Sequence, residues 1–188
     1  QSSGIFPGLL AGSYNIVIED AIGCQVTGQV SVTDQGGPII NSTVGTDELC
    51  LGSCDGTIVI NATGANLFSI DNGATFQALN SFNNLCNGTY NIVVEDNFGC
   101  QAVDQIDINQ PTLLTFSVTS VDLDCFGVCI GEIDFTAQGG SGPYQYSIDN
   151  GVTFQQANLF NNLCQGVYDA LIQDNNGCQT LGQNVFIT

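Results

Sequence analysis

The chain has 188 residues, with 18 acidic side chains and no Lys, Arg or His, so its formal net charge is −18. Side-chain salt bridges are excluded, and the fold must depend on apolar burial, backbone hydrogen bonds and nine cysteines. Without cationic groups the chain repels nucleic-acid phosphates and anionic lipids, and it lacks the His or Lys base of many enzymes. The sequence predicts no enzymatic activity, no nucleic-acid partner and no membrane insertion, since no apolar run approaches the ~18 residues of a span.

One pattern occurs three times along the chain. The stretches 5–25, 81–101 and 159–179 share F, L, G-x-Y and then D-x-x-G-C-Q. An upstream half occurs twice, as CLGSCDGTIVINATG from Cys50 and as CFGVCIGEIDFTAQG from Cys125. The spacing of roughly 75–78 residues is typical of a small β-sandwich. We therefore predict that residues 1–35 are the C-terminal half of a repeat, and that 36–110 and 111–188 are complete repeats.

The predicted strands alternate with a period of two residues. In the first unit Tyr14, Ile16 and Ile18 form one apolar row, and the pattern recurs at 90–94 and 168–172. Each of these strands ends in a tight-turn sequence, D-A-I-G, D-N-F-G or D-N-N-G, and S-I-D-N-G predicts a further hairpin. The predicted fold class is all-β, with tandem immunoglobulin-like β-sandwich domains stapled by disulfides and an incomplete N-terminal half-domain.

The first unit presents about 35 residues, fewer than the ~40 that usually fold alone. Its row of Tyr14, Ile16 and Ile18 would be exposed, so we predict that these are assembly strands which another sheet covers. Three sources stay open: upstream sequence of a longer array, another polypeptide, or donation of the first strands to another protomer. The chain has three late halves and two early halves, so identical copies cannot complete one another by exchanging spare early halves. Of these sources we favour upstream sequence of a longer array first and donation of the N-terminal strands second.

Four motifs of the chain resemble the SprB-type repeat of cell-surface adhesins of gliding Bacteroidota. They are C-x-G, G-G-x-x-P-Y-x-Y-S-I-D-N-G, F-x-N-L-C-x-G-x-Y and D-x-x-G-C. The similarity is greatest over 125–178, where GGSGPYQYSIDNG is intact. In the second unit TGANLFSIDNG lacks the second Gly, the Pro and the first Tyr. The resemblance implies a secreted immunoglobulin-like repeat of a surface adhesin or filament, without catalytic residues.

The cysteines predict a disulfide framework. The first unit keeps Cys24 at the position of Cys100 and Cys178, but has Leu10 where the other units have Cys86 and Cys164. Because the first unit lacks one of the two late cysteines and keeps the other, we infer that the two late cysteines of a repeat belong to different bridges. We prefer Cys50–Cys100, Cys54–Cys86, Cys125–Cys178 and Cys129–Cys164, and the arrangement with the early partners swapped stays open. Cys24 is then unpaired or paired outside the chain. A four-cysteine zinc site and bridges between adjacent domains are the less favoured alternatives.

Three further features carry predictions. Asn41, Asn61 and Asn87 begin N-x-[ST] sequons and are candidate glycosylation sites. The D-N-G turns at Asp71 and Asp149 offer oxygen ligands for Ca²⁺, but no complete calcium loop is present, so we predict no cofactor. A Tyr that follows a G-x step is typical of the tyrosine corner of immunoglobulin-like domains and equally of an ordinary core position.

Together these features predict an extracellular structural protein of a bacterial cell surface. We expect it to be a subunit or segment of a pilus-like fibril or adhesin stalk, assembled end to end and through N-terminal β-strand donation. Its partners would be other copies of itself or adjacent repeats in a homopolymeric fibre, with covalent glycans. The alternative function is a ligand-binding adhesin module that recognises glycans or surfaces.

Overall fold

The computed structural model describes residues 4–34, 36–123 and 127–188, and these residues form fourteen β-strands and no helix. The prediction of an all-β chain is confirmed. Within these ranges no helix is long and apolar enough to cross a membrane. The strands are β1 Gly12–Glu19, β2 Gln25–Val32, β3 Ile39–Thr46, β4 Gly56–Thr63, β5 Leu67–Ser69, β6 Ser81–Leu85, β7 Gly88–Glu95, β8 Gln101–Ile108, β9 Thr115–Val121, β10 Gly131–Gln138, β11 Gln145–Ser147, β12 Leu159–Leu163, β13 Gly166–Gln173 and β14 Gln183–Ile187.

The strands form five antiparallel sheets. The first hairpin, β1–β2, is a two-stranded sheet by itself. The β3–β8 sandwich has sheets of order β3-β4-β6 and β5-β7-β8, and the β9–β14 sandwich repeats this with β9-β10-β12 and β11-β13-β14. Each sandwich thus has two three-stranded sheets. The immunoglobulin-like arrangement of strands stays a prediction.

Each sandwich has its own apolar core between its two sheets. In the β3–β8 sandwich Ile58 and Ile60 of β4 pack with Ile92 and Val94 of β7. In the β9–β14 sandwich Phe135 of β10 takes the place of Ile60 and packs against three aromatic rings. Small residues let the sheets approach at the strand starts, since a Cβ on Gly56 would lie 2.7 Å from Ile108 Cγ2 and 2.8 Å from the Leu85 carbonyl oxygen.

The structure departs from simple alternation in β7 and β13. The pattern places Val93 on the outer face of β7, yet Val93 is buried, as is Leu171 at the same position of β13. The loop that contains S-I-D-N-G folds back over this face, so that a Cβ on Gly73 would lie 3.8 Å from Val93 Cγ2. The loop is tied down by a hydrogen bond from the Asn72 amide to the Asn91 carbonyl. β7 is therefore buried on both faces over part of its length.

The first hairpin repeats the last hairpin of each sandwich but lacks the facing sheet. Its register pairs Tyr14 with Val30, as β7 pairs Tyr90 with Ile106. Tyr14 and Ile16 are half-buried, and Ile18 is 67% exposed, whereas the equivalent Val94 is 0% exposed. In the described part of the chain nothing covers the row predicted as assembly strands.

Candidate functional site: the junction between repeats

Two disulfides close the same end of the two sandwiches. Cys54 is bonded to Cys86, and Cys129 to Cys164, over sequence separations of 32 and 35. Each joins the turn before the second strand of a sandwich to the turn that precedes its last hairpin. Both are among the predicted pairs.

The third disulfide links the two sandwiches to each other. Cys50 is bonded to Cys178 over a sequence separation of 128, with the Cα atoms 5.6 Å apart. The prediction of Cys50–Cys100 is therefore wrong, and Cys100 is an exposed free thiol. The predicted partner of Cys178, Cys125, lies outside the described residues, and Cys178 is instead taken by Cys50. The bridge between adjacent domains, the less favoured alternative, is the one the structure has.

Strand geometry explains why the predicted pair cannot form. Cys86 precedes β7 and Cys100 follows it, so the two cysteines lie at opposite ends of an eight-residue strand about 26 Å long. Cys50 is only four residues from Cys54, which is bonded to Cys86. A disulfide requires Cα atoms within about 7 Å. Cys50 therefore cannot also reach the far end of β7, and the swapped arrangement fails for the same reason.

Chain direction brings Cys50 and Cys178 together. β8 ends beside the start of β7, because Ile108 pairs with Gly88, so the chain leaves the first sandwich at its Cys50 end. It enters the next sandwich beside the D-x-x-G-C turn, where the Gly140 amide donates to the Thr112 carbonyl. The exit end of one sandwich thus meets the entry end of the next.

The linker is held on both sides of the junction. The amide of Asn109 donates to Asp47 Oδ1 at 2.8 Å, and its carbonyl accepts from the Glu48 amide at 2.9 Å. On the other side Thr112 is bound by Gly140. Only two linker residues, 110 and 111, lie between these contacts. Across the junction Asn176 Nδ2 donates to the Leu49 carbonyl at 3.0 Å.

A buried carboxylate shapes the Cys50 turn. Glu48 is 4% exposed, and it accepts hydrogen bonds from the amides of Gly52, at 2.9 Å, and Asn87, at 2.5 Å. It also lies close to the sulfurs of Cys54 and Cys86. A zinc site here would need thiolates, but these two sulfurs form a disulfide. Glu48 therefore fixes the two turns that the disulfide joins.

The D-x-x-G-C turn positions the trailing cysteine. Oδ1 of Asp174 accepts the amides of Asn176 and Cys178, both at 2.9 Å. Gly177 supplies the positive φ of 86° that the turn requires. In this sandwich Oδ2 of the same carboxylate also accepts the Ser141 amide at 2.9 Å. The turn sequence thus presents the cysteine at the entry end of the sandwich.

The S-I-D-N-G loop is held by a carboxylate whose pKa is strongly lowered. Oδ2 of Asp71 accepts the Thr75 hydroxyl at 2.6 Å, and Oδ1 accepts the Thr75 amide and the hydroxyl of the buried Ser69. These bonds lower the pKa of Asp71 from 3.8 to about 2, with the Thr75 hydroxyl as the largest cause. Asp149 has the same bonds and also a pKa of about 2.

We expect the two aspartates to make stability pH-dependent. A carboxyl whose pKa falls on folding stabilises the fold above about pH 4 and loses that effect as pH falls toward 2. The double variant Asp71→Asn, Asp149→Asn should be less stable than wild type at pH 6, and the difference should shrink between pH 4 and pH 2. Thermal unfolding followed by circular dichroism measures it. Thr75→Val should reproduce the effect only in part, because it removes one of the three bonds to Asp71 and leaves Asp149 unchanged. A difference that is constant over this pH range would contradict the assignment.

The last hairpin of each sandwich carries a tyrosine whose hydroxyl donates to a backbone carbonyl a few residues upstream. The hydroxyl of Tyr90 donates to the Cys86 carbonyl at 2.8 Å, and that of Tyr168 to the Cys164 carbonyl at 2.9 Å. Tyr14 makes the same bond to Leu10 in the first hairpin. A hydroxyl that returns to the backbone a few residues upstream is the hydrogen bond of a tyrosine corner.

Tyr90→Phe should lower the free energy of unfolding of the β3–β8 sandwich by about 0.5–1.5 kcal/mol, the usual net value of one hydrogen bond. Urea denaturation measures the change. Tyr168→Phe should act equally on the other sandwich, and Tyr14→Phe serves as the control because nothing described packs on its hairpin. An unchanged midpoint for Tyr90→Phe would mean that water replaces the bond without cost.

The three sequon asparagines lie on the surface. Asn41 Nδ2 donates to Thr63 Oγ1 at 2.8 Å, and Asn61 Nδ2 donates to Ser42 Oγ at 3.0 Å. Asn87 is exposed in the turn between β6 and β7. Glycosylation at these positions stays a prediction.

The comparison with protein families agrees with the repeat analysis. Residues 117–153 match the family model of the SprB repeat, which is consistent with a SprB-type repeat in the β9–β14 sandwich. The match runs from β9 to the S-I-D-N-G loop. No curated protein matches the chain.

Proposed function

We propose that the protein is a structural segment of a bacterial cell-surface adhesin, in which linked β-sandwich repeats form an extended stalk or filament outside the cell. The observation that carries the proposal is the Cys50–Cys178 disulfide, which joins one repeat to the next. Such bonds persist in oxidising, extracellular surroundings. The SprB-type repeat supports the adhesin class.

The junction suits a load-bearing stalk. Adjacent domains that share a small interface ordinarily move relative to each other. Here the short linker and the disulfide connect the sandwiches at two points, and Asn176 adds a hydrogen bond across the interface. A pull along the chain is therefore shared by two covalent connections, and bending is opposed.

The first hairpin is the assembly element of this proposal. Its apolar row would be covered by early-half strands equivalent to β3 and β4, which together with β6 cover the same row in the β3–β8 sandwich. The exposed Ile18, whose equivalent Val94 is fully buried, supports this. Pilus-like growth by strand donation is the form that this covering would take between separate copies.

Localisation on intact cells tests the proposal. Antibodies against the β9–β14 sandwich should label unpermeabilised cells of the source bacterium, in a thread-like pattern under immunogold microscopy. Brief treatment of the cells with proteinase K should remove the signal. Trypsin has no Lys or Arg to cleave within these 188 residues, so it distinguishes cleavage inside the labelled repeats from cleavage elsewhere in the surface protein. Labelling that requires permeabilised cells would contradict the proposal.

A second candidate function, recognition of glycans, is favoured by one surface feature. A cleft of about 390 Å³ beside the D-x-x-G-C turn is lined by Tyr144, Gln145, Gln156, Gln173 and Asn175, among others. A ring beside several amide groups is a common arrangement in sugar sites. A glycan array probed with wild type and Tyr144→Ala would detect it, and equal binding by the two proteins would remove this cleft as the site.

A further inference from the structure

We propose that Cys100 is the site of a second inter-repeat disulfide, whose partner is the cysteine equivalent to Cys50 in the repeat to which the first hairpin belongs. The bond is the equivalent, one repeat earlier, of Cys50–Cys178. It goes beyond the proposed function, because it assigns a covalent link to a thiol that is free in the described residues.

Cys100 occupies the same backbone site as Cys178. Its amide donates to Asp96 Oδ1 at 2.9 Å, and its carbonyl accepts the Asp96 amide at 3.0 Å. Cys178 makes both bonds with Asp174 at the same distances. The turn glycines have φ angles of 83° and 86°. The two cysteines are therefore presented alike, each at the entry end of its sandwich.

The surroundings of the two cysteines also correspond. Cys178 shares a cleft with the incoming linker, including Pro111 and Thr112. Cys100 likewise lies against its incoming linker, since a Cβ on Gly37 would be 3.5 Å from Cys100 Cβ. What Cys178 has in addition is Cys50, from the exit end of the preceding repeat. That preceding repeat is, for Cys100, the one that contains β1 and β2.

A separate observation points to the same missing half. The equivalent of Cys50 belongs to the early half of a repeat, which also supplies two of the three strands in the sheet that buries the apolar row of the late half. In the first hairpin that row is uncovered, with Ile18 67% exposed. An early half that covers the hairpin would place its equivalent of Cys50 at the hairpin's exit end, where β2 leads into the linker to β3. It would thus complete the hairpin and reach Cys100 together.

The chemistry is a two-electron oxidation. The two thiols form an S–S bond and lose two protons and two electrons, which an oxidant of the protein-disulfide class accepts as it becomes a dithiol. The Asp96 carboxylate raises the pKa of Cys100, with Asp34 as a smaller contribution. Reactive redox cysteines have lowered pKa values, so this environment suits a structural bond.

Disulfide mapping of the secreted protein from source cells tests the proposal. Free thiols are blocked with N-ethylmaleimide at harvest, and pepsin at low pH cleaves the chain, since trypsin has no site. We expect Cys178 peptides linked to Cys50, and Cys100 peptides linked to a cysteine peptide that lies outside these 188 residues. A maleimide adduct on Cys100, or a bond from Cys100 to Cys24, Cys50 or Cys125, would overturn the proposal.

Two variants make the test specific. In Cys100→Ser the new cross-link should be absent and the partner cysteine should gain one maleimide, whereas Cys50→Ser should leave the Cys100 link intact. Retention of Cys54–Cys86 in both variants reports that the sandwich has folded. A mass that falls on reduction would assign the partner to a separate polypeptide, and an unchanged mass to the same one. If Cys100 proves to have no such link, the Cys50–Cys178 bond is unaffected, and so is the adhesin proposal that rests on it.

Discussion

Cys50→Ser and Cys178→Ser should each expose one additional thiol and destabilise the β9–β14 sandwich to the same extent. The two cysteines form one bridge, with a sequence separation of 128, so removing either end removes the same constraint on the unfolded chain. The chain-entropy estimate for a closed loop of this size is about 4–5 kcal/mol. Because part of the loop stays folded when only one sandwich unfolds, the measured value should lie below that limit.

The matched control is Cys100→Ser. Cys100 lies in the turn equivalent to that of Cys178 but is free and exposed in this chain. In the isolated 188-residue chain its replacement should therefore remove one exposed thiol, free no other, and change stability by less than about 0.5 kcal/mol. If Cys50 were instead bonded to Cys100, the Cys50 and Cys100 variants would behave alike and Cys178→Ser would stand apart. The pattern of equality among three variants thus identifies the bridge without a further structure.

Three measurements complete this test. Alkylation of the native protein, followed by intact mass, counts the exposed thiols, and urea denaturation gives the free energies of unfolding. Small-angle scattering should show a broader distribution of maximum dimension for Cys50→Ser than for Cys100→Ser, since only the former loses the bond across the junction. Identical scattering from the two variants would mean that the linker contacts of Asn109 and Thr112 fix the orientation without the disulfide.

The strands were predictable because their signals are local. The alternation of Tyr90, Ile92 and Val94, followed by D-N-F-G, places a strand and a turn where β7 and its hairpin lie. The burial of Val93 was not predictable in this way, because it depends on a loop twenty residues upstream that folds back over the strand. Alternation shows which residues share a face, but not whether a second layer covers the other face.

The inter-repeat bridge was predictable in principle, from a signal other than the one used. Comparison with the first unit correctly predicted that Cys86 and Cys100 do not share a bridge, since Cys86 is bonded to Cys54 and Cys100 is free. It left unused the fact that these cysteines flank one predicted strand and so lie a strand length apart. Two early cysteines four residues apart cannot serve both ends of that strand. Combined with the short linker, this would have favoured a partner for Cys50 in the next repeat.

Phe135→Ala should be the most destabilising single substitution in the β9–β14 sandwich, lowering its free energy of unfolding by about 3–5 kcal/mol. Phe135 is 2% exposed. Its ring centroid lies 5.6 Å from that of Phe116, 5.4 Å from Tyr146 and 5.7 Å from Phe160, in tilted arrangements. Truncation therefore removes the free energy gained by burying a large apolar ring, together with three aromatic contacts. It also leaves a cavity that the rigid neighbouring rings cannot fill.

Phe186→Ala is the matched control, because Phe186 lies in the same sandwich but faces outward, 60% exposed, between the buried Val185 and Ile187. It should cost less than about 0.5 kcal/mol. Unfolding is followed by tyrosine fluorescence and circular dichroism, since the chain has no Trp. If the sandwiches unfold independently, Phe135→Ala shifts one transition. If the Cys50–Cys178 bond makes the two sandwiches unfold cooperatively, Phe135→Ala shifts both transitions. Adding Cys50→Ser should then separate the two transitions again. Equal effects of the two phenylalanine variants would mean that the aromatic cluster does not hold this sandwich together.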